Sequence, residues 1–594
     1  MIKLVQKYKW YMIAFLISFL PRLIIALADP TQMRLIPDEI GMLAGTAHFA
    51  GLDWSNVVST TGYYGIGYHV LFAPILMIVE DFVIFHTIVK LAAAFVCSLV
   101  AIIAFRIMTK FLGVKNMFFA CAVSVACSYC MTTGIRNVSN EYILNLITWL
   151  AVYILLDLSL LSKEQVKKKR VLTAVLSLLM VYTLTIHTRS IILWGAIFAI
   201  VVLYFIVYKK ILLSLPVFLG NISVGYVAAR VLEKALQASI WITTSSDEPK
   251  LNTSSDLTNK ITDSILGMFQ PDNINAMIKI FFGNVYTLFY FTAGVMIIAL
   301  VMGGYSIYNH IKHKEIFKDK EERGLDMIFW FSGICIFVVI AGLAVVWYPG
   351  VSKYMQGYDQ AVYSYFTKAI VYTRYYACYT GPAVMACMIY LYRNGELVLK
   401  HFKKLALMLL ILSVYWIKYV VEYLTGAKTN VREFFGATFS SYYNATVTEV
   451  SYVPAMILLF VLFAVIFICI KYKKVTIYAT IVAIFLIYTK SYYDEAYMVS
   501  KYSMADAGTE FVKELETKNE ALDRHIYVWG KSQSYAYQAL LSRYTIINDL
   551  PEENVSEAVV FANKYEAGAH LEEWGYQMKQ IDDDEYVWFK GVNY

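Results

Sequence analysis

Charge is scarce in this sequence. Only 16% of its 594 residues are Asp, Glu, Lys or Arg, where a soluble domain carries about a quarter. Hydrophobic residues make up 59%, and the mean hydropathy is +0.55. Both a soluble globular chain and a disordered one are excluded. Cysteine is sparse as well. Cys97, Cys121, Cys127, Cys130, Cys335, Cys378, Cys387 and Cys469 all fall in apolar stretches, so no disulfide framework is expected. Cys127-Ser-Tyr-Cys130 has redox-motif spacing but no βαβ context, and helix packing is its expected role. Gly-rich phosphate loops and Walker-type motifs are missing. That absence favours a lipid-linked or extracytoplasmic substrate over ATP-driven transport. The net charge of +7 implies no nucleic-acid partner, because membrane proteins collect Lys and Arg for topological reasons.

Apolar runs of span length fill the chain instead. A membrane-crossing helix takes about 20 residues. The first run, 10–28, follows Lys3, Lys7 and Lys9 and lacks a small-residue cleavage site, so it reads as an uncleaved helix. Further runs lie near 83–105, 116–132, 141–160, 171–187, 190–208, 211–229, 284–308, 325–347, 375–392, 405–423, 451–470 and 475–489, which makes thirteen. The 48 Tyr and 11 Trp suit that many membrane boundaries. Segments 1–9, 106–116, 162–170, 209–210, 309–324, 393–404 and 471–474 hold 25 of the 51 Lys and Arg. The positive-inside rule therefore places the N-terminus in the cytoplasm. An odd number of spans then puts the tail outside. Arg22, Lys90 and Lys418 fall within spans.

The expected fold is a polytopic α-helical membrane protein of two parts. Residues 1–489 form the transmembrane domain, with long outer loops at 29–82 and 230–283. Within the first loop, 67–79 is apolar enough to lie along the membrane or dip into it. Residues 490–594 form a small extracytoplasmic α/β domain, with helices near 506–522 and 533–542 and strand-like runs at 526–529, 544–547, 558–561 and 586–590.

Chemistry concentrates in the outer segments. The first loop carries Asp38 and Glu39, some ten residues past the first span. Such a pair can supply a general base for an incoming hydroxyl or amine, and a second carboxylate to orient it or hold a divalent metal. It also suits a solvated turn, with Asp38 as a helix N-cap. The loop continues through Gly51-Leu-Asp53-Trp54, then Tyr63-Tyr64-Gly65-Ile-Gly67-Tyr68-His69, then Ala73-Pro74. His48 and His69 lack tight ligand spacing and read as interfacial polar residues.

Over about residues 1–110 this pattern resembles the first loop of GT-C membrane glycosyltransferases. The nearest branch holds protein O-mannosyltransferases and the bacterial aminoarabinose transferase. The resemblance implies eleven to thirteen spans and a polyprenyl-phosphate-linked sugar donor used on the extracytoplasmic face. It also implies that Asp38 is the catalytic base and Glu39 its acidic neighbour. The chain departs at Gly41-Met42, where many relatives place a Tyr, and this bears on acceptor contacts.

A donor phosphodiester needs outward-facing cations, and the guanidinium fork matches phosphate oxygens. The candidates are Arg136 ahead of Asn140-Glu141, His187 and Arg189 in His-Thr-Arg-Ser, and Arg374 before Tyr375 and Pro382. An Arg-Tyr opening a late span and followed by Pro resembles the family's phosphate-binding region. Interfacial snorkelling, or an ion pair between Arg136 and Glu141, would also account for such residues. Tyr63, Tyr64, Tyr68, His69, Glu141 and Tyr375 are the candidates for lining the acceptor cavity. Lys90 and Glu422 are ionisable groups at membrane depth.

Together these readings describe an inverting sugar transfer from a polyprenyl phosphate to an extracytoplasmic acceptor, which is a glycan, lipid or protein. Two other readings compete with it: a polymerase of lipid-linked oligosaccharides, and a transporter or flippase. The latter predicts paired mid-span charges and internal repeats, and the sequence has few of the first and none evident of the second.

Overall fold

The computed structural model describes residues 2–28, 37–59, 61, 65–79, 81–131, 140–240, 267–292, 294–309, 319–424, 449–472, 506–519, 525–529, 531–553, 555–562, 568–582 and 585–592. The expected span 475–489 and the site candidates Tyr63, Tyr64 and Arg136 lie outside the described residues. Among those described, seven helices are long and apolar enough to cross a membrane: Tyr8–Ala28, Phe82–Lys110, Glu141–Ser159, Val166–Ile186, Thr188–Tyr208, Leu215–Ile240 and Lys320–Met355. Shorter apolar helices, Met117–Ser128 and Val295–Tyr308 among them, pack with these.

These helices do not by themselves confirm the expected count of thirteen spans, and two of the expected runs are shaped differently from a plain span. The run 284–308 is broken: one helix ends at Phe291, and Gly294, with φ 79, starts the next turn. Only glycine adopts that backbone readily. The runs 375–392 and 405–423 belong to one helical stretch, Arg374–Tyr419, interrupted at the single non-helical residue Asn394. A charged loop was expected over 393–404. Helix continues there instead, from Gly395 to Tyr419.

An arginine in the first helix shows how the bundle absorbs intramembrane charge. Arg22 is fully buried. Its Nη1 donates to the Ser18 carbonyl at 2.9 Å, and its Nη2 donates to the Ser128 carbonyl at 2.7 Å. The Tyr129 ring lies 3.9 Å from the guanidinium. The cation thus sits at the C-terminal end of the helix Met117–Ser128, where free carbonyls and the helix dipole favour it.

The first-loop motif folds as helices. Pro37–Phe49 carries Asp38 and Glu39 in its first turn, and Ile66–Ile78 covers much of the stretch expected to lie along the membrane. The paired glycines of that motif answer to close packing. A Cβ on Gly65 would lie 2.0 Å from the Thr185 carbonyl oxygen, and one on Gly67 would lie 2.3 Å from Thr185 Oγ1. Tyr182 Oη donates to the Gly67 carbonyl at 3.1 Å across the same contact. Cys127 is buried in the bundle, and its carbonyl oxygen lies 3.1 Å from the position of a Cβ on Gly381, so the glycine allows the close approach.

The C-terminal unit is a five-stranded sheet in the order β2-β1-β3-β5-β4, comprising β1 (His525–Val528), β2 (Thr545–Ile547), β3 (Ala558–Ala562), β4 (Gln577–Asp582) and β5 (Glu585–Lys590). β1 pairs in parallel with β2 and β3, and β5 runs antiparallel to β3 and β4. The helix Lys531–Leu540 makes the crossover that a parallel β1–β2 pair requires. This unit rests on the first loop, where Trp54, 2% exposed, donates from Nε1 to the Ser542 carbonyl at 3.1 Å.

Gly65→Ala drives a methyl group against backbone, which cannot swing aside, and should cost about 1–3 kcal/mol. Gly195, with no heavy atom within 4 Å of an added Cβ, is the control. Thermal unfolding in detergent should show a lowered midpoint for Gly65→Ala and almost none for Gly195→Ala.

Candidate functional site

Four segments far apart in sequence meet at one end of the bundle. Asp38 comes from the first turn of Pro37–Phe49, and Glu141 begins the helix Glu141–Ser159. His187 and Arg189 occupy the joint between Val166–Ile186 and Ile191–Tyr208. Arg374 and Tyr375 open the helix Arg374–Tyr419. Local structure fixes each of them. Asn140 donates from Nδ2 to the Ile186 carbonyl at 3.0 Å, tying the start of the Glu141 helix to the end of its neighbour. His187, in an extended conformation, caps the single turn Thr188–Ser190 by accepting at Nδ1 from the Arg189 amide at 3.1 Å.

Glu141 holds the cluster together. Only 2% of its side chain is exposed, and its Oε1 accepts from Arg374 Nε at 2.5 Å and from Arg189 Nη2 at 3.0 Å. A carboxylate oxygen accommodates more than one donor, so one buried anion keeps two guanidiniums side by side that would otherwise repel. Arg374 Nη1 reaches Asp38 Oδ2 at 3.3 Å. Arg189 lies 4.0 Å above the Tyr375 ring, a cation–π contact that fixes its plane. Its Nε stands 3.2 Å from His187 Nε2. A neutral imidazole accepts at one nitrogen only, so this bond and the backbone cap alternate.

Asp38 is the accessible carboxylate, with 44% of its side chain exposed against 2% for Glu141. Its neighbour Glu39 turns inward. Glu39 is 1% exposed and lies within electrostatic reach of the Tyr68 hydroxyl. The adjacent carboxylates therefore face different surroundings. Among the described residues no group of three or more His, Cys, Asp or Glu is placed to hold a metal ion. Tyr68 and His69 are also fully buried. The His69 ring packs so closely on Gly45 that a Cβ there would lie 2.3 Å away. These two side chains are packed inside the protein, Tyr68 beside Glu39.

Lys368 was not anticipated from the sequence. It lies in the 3-10 turn Ser364–Val371, 9% exposed, with its Nζ 5.3 Å from the Trp347 ring and 5.7 Å from the Tyr372 ring. Burial lowers its ammonium from 10.5 to about 8; Asp38 opposes that shift and Arg374 adds to it. A lone lysine in Ser-Tyr-Phe-Thr-Lys-Ala-Ile-Val carries no motif, and only its position outside the spans marked it. Lys90, 2% exposed, lies on Phe82–Lys110 one turn from His86. Glu422 interacts electrostatically with Lys279 at the far end of Arg374–Tyr419.

Arg189, Arg374 and Lys368 supply three positive charges against the two of Asp38 and Glu141. The cluster therefore carries one net positive charge, which matches a phosphodiester anion, and it presents guanidinium forks beside an accessible carboxylate.

No family model and no curated protein matches the chain. Solved structures of ArnT from Cupriavidus metallidurans are similar to it. For the form bound to undecaprenyl phosphate the TM-score is 0.47 at 11% identity, covering 98% of each chain. For the apo form it is 0.44 at 10% identity, covering 98% of this chain and 97% of that one.

Two outcomes test the cluster. Glu141→Gln removes the anion shared by two arginines and should cost about 3–5 kcal/mol, read as a large fall in thermal midpoint, while Glu422→Gln changes it little. The folded chain releases the Lys368 proton near pH 8 and the unfolded chain only near 10.5. This lysine therefore disfavours the folded state below pH 8, and that penalty fades as pH rises from 8 to 10.5. The cluster also loses a positive charge above pH 8. Affinity of the cluster for a phosphate-ester anion should then fall about tenfold between pH 7 and 9, and Lys368→Met should flatten the profile.

Proposed function

We propose that the chain transfers a sugar from a polyprenyl-phosphate donor to an acceptor on the extracytoplasmic side of the membrane. The observation that carries this reading is the meeting of Asp38, Glu141, Arg189 and Arg374 at one end of the helical bundle. Anion-binding groups and an accessible carboxylate lie side by side there. The likeness of the first loop to GT-C glycosyltransferases supplies the reaction class.

The chemistry follows from the charges. The donor phosphate binds at Arg374 and Arg189, with Lys368 beside them, and its polyprenyl chain runs between the apolar helices. As the phosphate takes up its share of Arg374, the contact between Arg374 and Asp38 loosens. Asp38 then accepts the proton of the acceptor hydroxyl or amine. The freed lone pair attacks the anomeric carbon from the face opposite the phosphate. The bond from that carbon to the phosphate oxygen breaks, and its electron pair leaves with the phosphate. A single displacement of this kind inverts the anomeric centre. The guanidiniums act most strongly as charge builds on the departing oxygen, in surroundings drier than bulk water.

The basic residues of the inter-span segments support an N-terminus in the cytoplasm, with the cluster and the C-terminal unit outside. We further propose a division into a transmembrane catalytic domain, 1–489, and an outer α/β domain, 490–594. The outer domain contacts the first loop through Trp54 and Ser542, which suits a role in covering the site or receiving the acceptor.

Purified Asp38→Asn and Arg374→Ala, assayed beside the parent with polyprenyl-phosphate-linked sugars, decide the matter. Each should lose at least about a hundredfold in turnover while staying folded. Near-parental turnover in folded Asp38→Asn would overturn the assignment of the base.

A further inference from the structure

At the opposite end of the bundle a cavity of about 250 Å³ opens between the ends of three helices, Ile191–Tyr208, Ile298–Tyr308 and Lys320–Met355. Leu203, Tyr204, Ile307, Met327 and Trp330 make most of its wall. The helix Ile191–Tyr208 has Arg189 just before its start and the cavity at its end. Its 18 residues span about 27 Å at 1.5 Å per residue, close to the thickness of a bilayer's hydrocarbon core. The cavity is thus a separate feature from the Arg374 cluster.

Its rim faces outward. Leu203 is 39% and Ile307 46% exposed, and at membrane depth such surfaces meet lipid chains and not water. The mouth is cationic. Arg323, one turn into its helix, lies 5.1 Å from the Tyr208 ring, and its buried Nε has no hydrogen-bond partner among the described residues. Lys209 and Lys210, both exposed, follow Tyr208 directly. The one carboxylate in the wall, Asp326, is 8% exposed and turned into the protein. Its Oδ1 accepts from Ser306 Oγ at 2.5 Å, and that hydroxyl in turn accepts from Trp330 Nε1 at 3.0 Å.

We propose that this crevice holds an acyl chain of an anionic phospholipid of the cytoplasmic leaflet, with the lipid phosphate on Arg323 and beside Lys209 and Lys210. An apolar wall alone would accept any lipid. The guanidinium at the rim is what selects a headgroup bearing net negative charge, because its fork pairs with phosphate oxygens and no zwitterionic amine offsets the attraction. The volume suits part of one chain, being smaller than the pockets that enclose a whole ligand.

Delipidated full-length protein, titrated with phosphatidylglycerol or with phosphatidylcholine of the same chains, tests this by native mass spectrometry and thermal unfolding. Phosphatidylglycerol should bind at least about tenfold more tightly and raise the midpoint, and Arg323→Gln should abolish the preference. Leu203→Trp, which fills the crevice and leaves the guanidinium in place, should lose binding of both lipids. Equal binding of the two lipids by the parent overturns the proposal, as does a preference that survives in Arg323→Gln. If Arg323→Gln fails to fold, phosphatidylglycerol retained by Leu203→Trp overturns it. The readout is lipid retention, so it is independent of sugar transfer.

Discussion

One buried carboxylate organises one end of the helical bundle. Glu141 accepts from Arg189 and Arg374 on a single oxygen, and each of those arginines belongs to a different helix start. Without that anion the guanidiniums would repel across a partly dry space, where Coulomb forces are several times their value in water. With it, the ends of three helices are drawn together, Arg374 is brought to Asp38, and Arg189 settles on Tyr375. The pairing is also incomplete as a neutralisation, since Lys368 stands nearby. On the sidedness proposed above, a cluster left with net positive charge runs against the trend that puts basic residues inside. That deviation is what makes a functional reading reasonable.

The apolar scaffold serves this geometry through close approach. Gly65 and Gly67 let the first loop press against Thr185, two residues before His187, so the loop carrying Asp38 and the joint carrying Arg189 share one contact. Arg22 ties the first helix to the end of Met117–Ser128. Both arrangements use backbone carbonyls, the polar groups that remain available at helix ends and joints within an otherwise hydrocarbon-like interior.

Much of this was legible in the sequence, for reasons that differ by residue. Asp38, Glu141, His187, Arg189, Arg374 and Tyr375 were all singled out, because charge in an apolar chain is conspicuous, and the structure brings them into one cluster. Lys368 was missed because a lone lysine in a short loop has no pattern around it. Glu39, Tyr68 and His69 were also singled out; residue type cannot say which way a helix turns its faces, and all three side chains are buried while that of Asp38 is accessible. In the tail, β1, β2, β3 and β5 fall on the expected runs. β4, Gln-Met-Lys-Gln-Ile-Asp, did not announce itself, because an edge strand need not alternate apolar and polar residues as a half-buried one does. Gly294 breaks the expected run 284–308 at a single residue, which no hydropathy window resolves, while the kink at Asn394 falls between the expected runs 375–392 and 405–423.

Trp54 stands sixteen residues after Asp38 and holds the C-terminal unit by its indole. A segment synthesised late is thus fastened to one synthesised early. Until the tail has folded and docked, the loop that bears the exposed carboxylate lacks one of its supports. Assembly of this end of the bundle is therefore completed only once the segment around Ser542 has been made, which couples the folding of the C-terminal unit to the shape of the surface around Asp38.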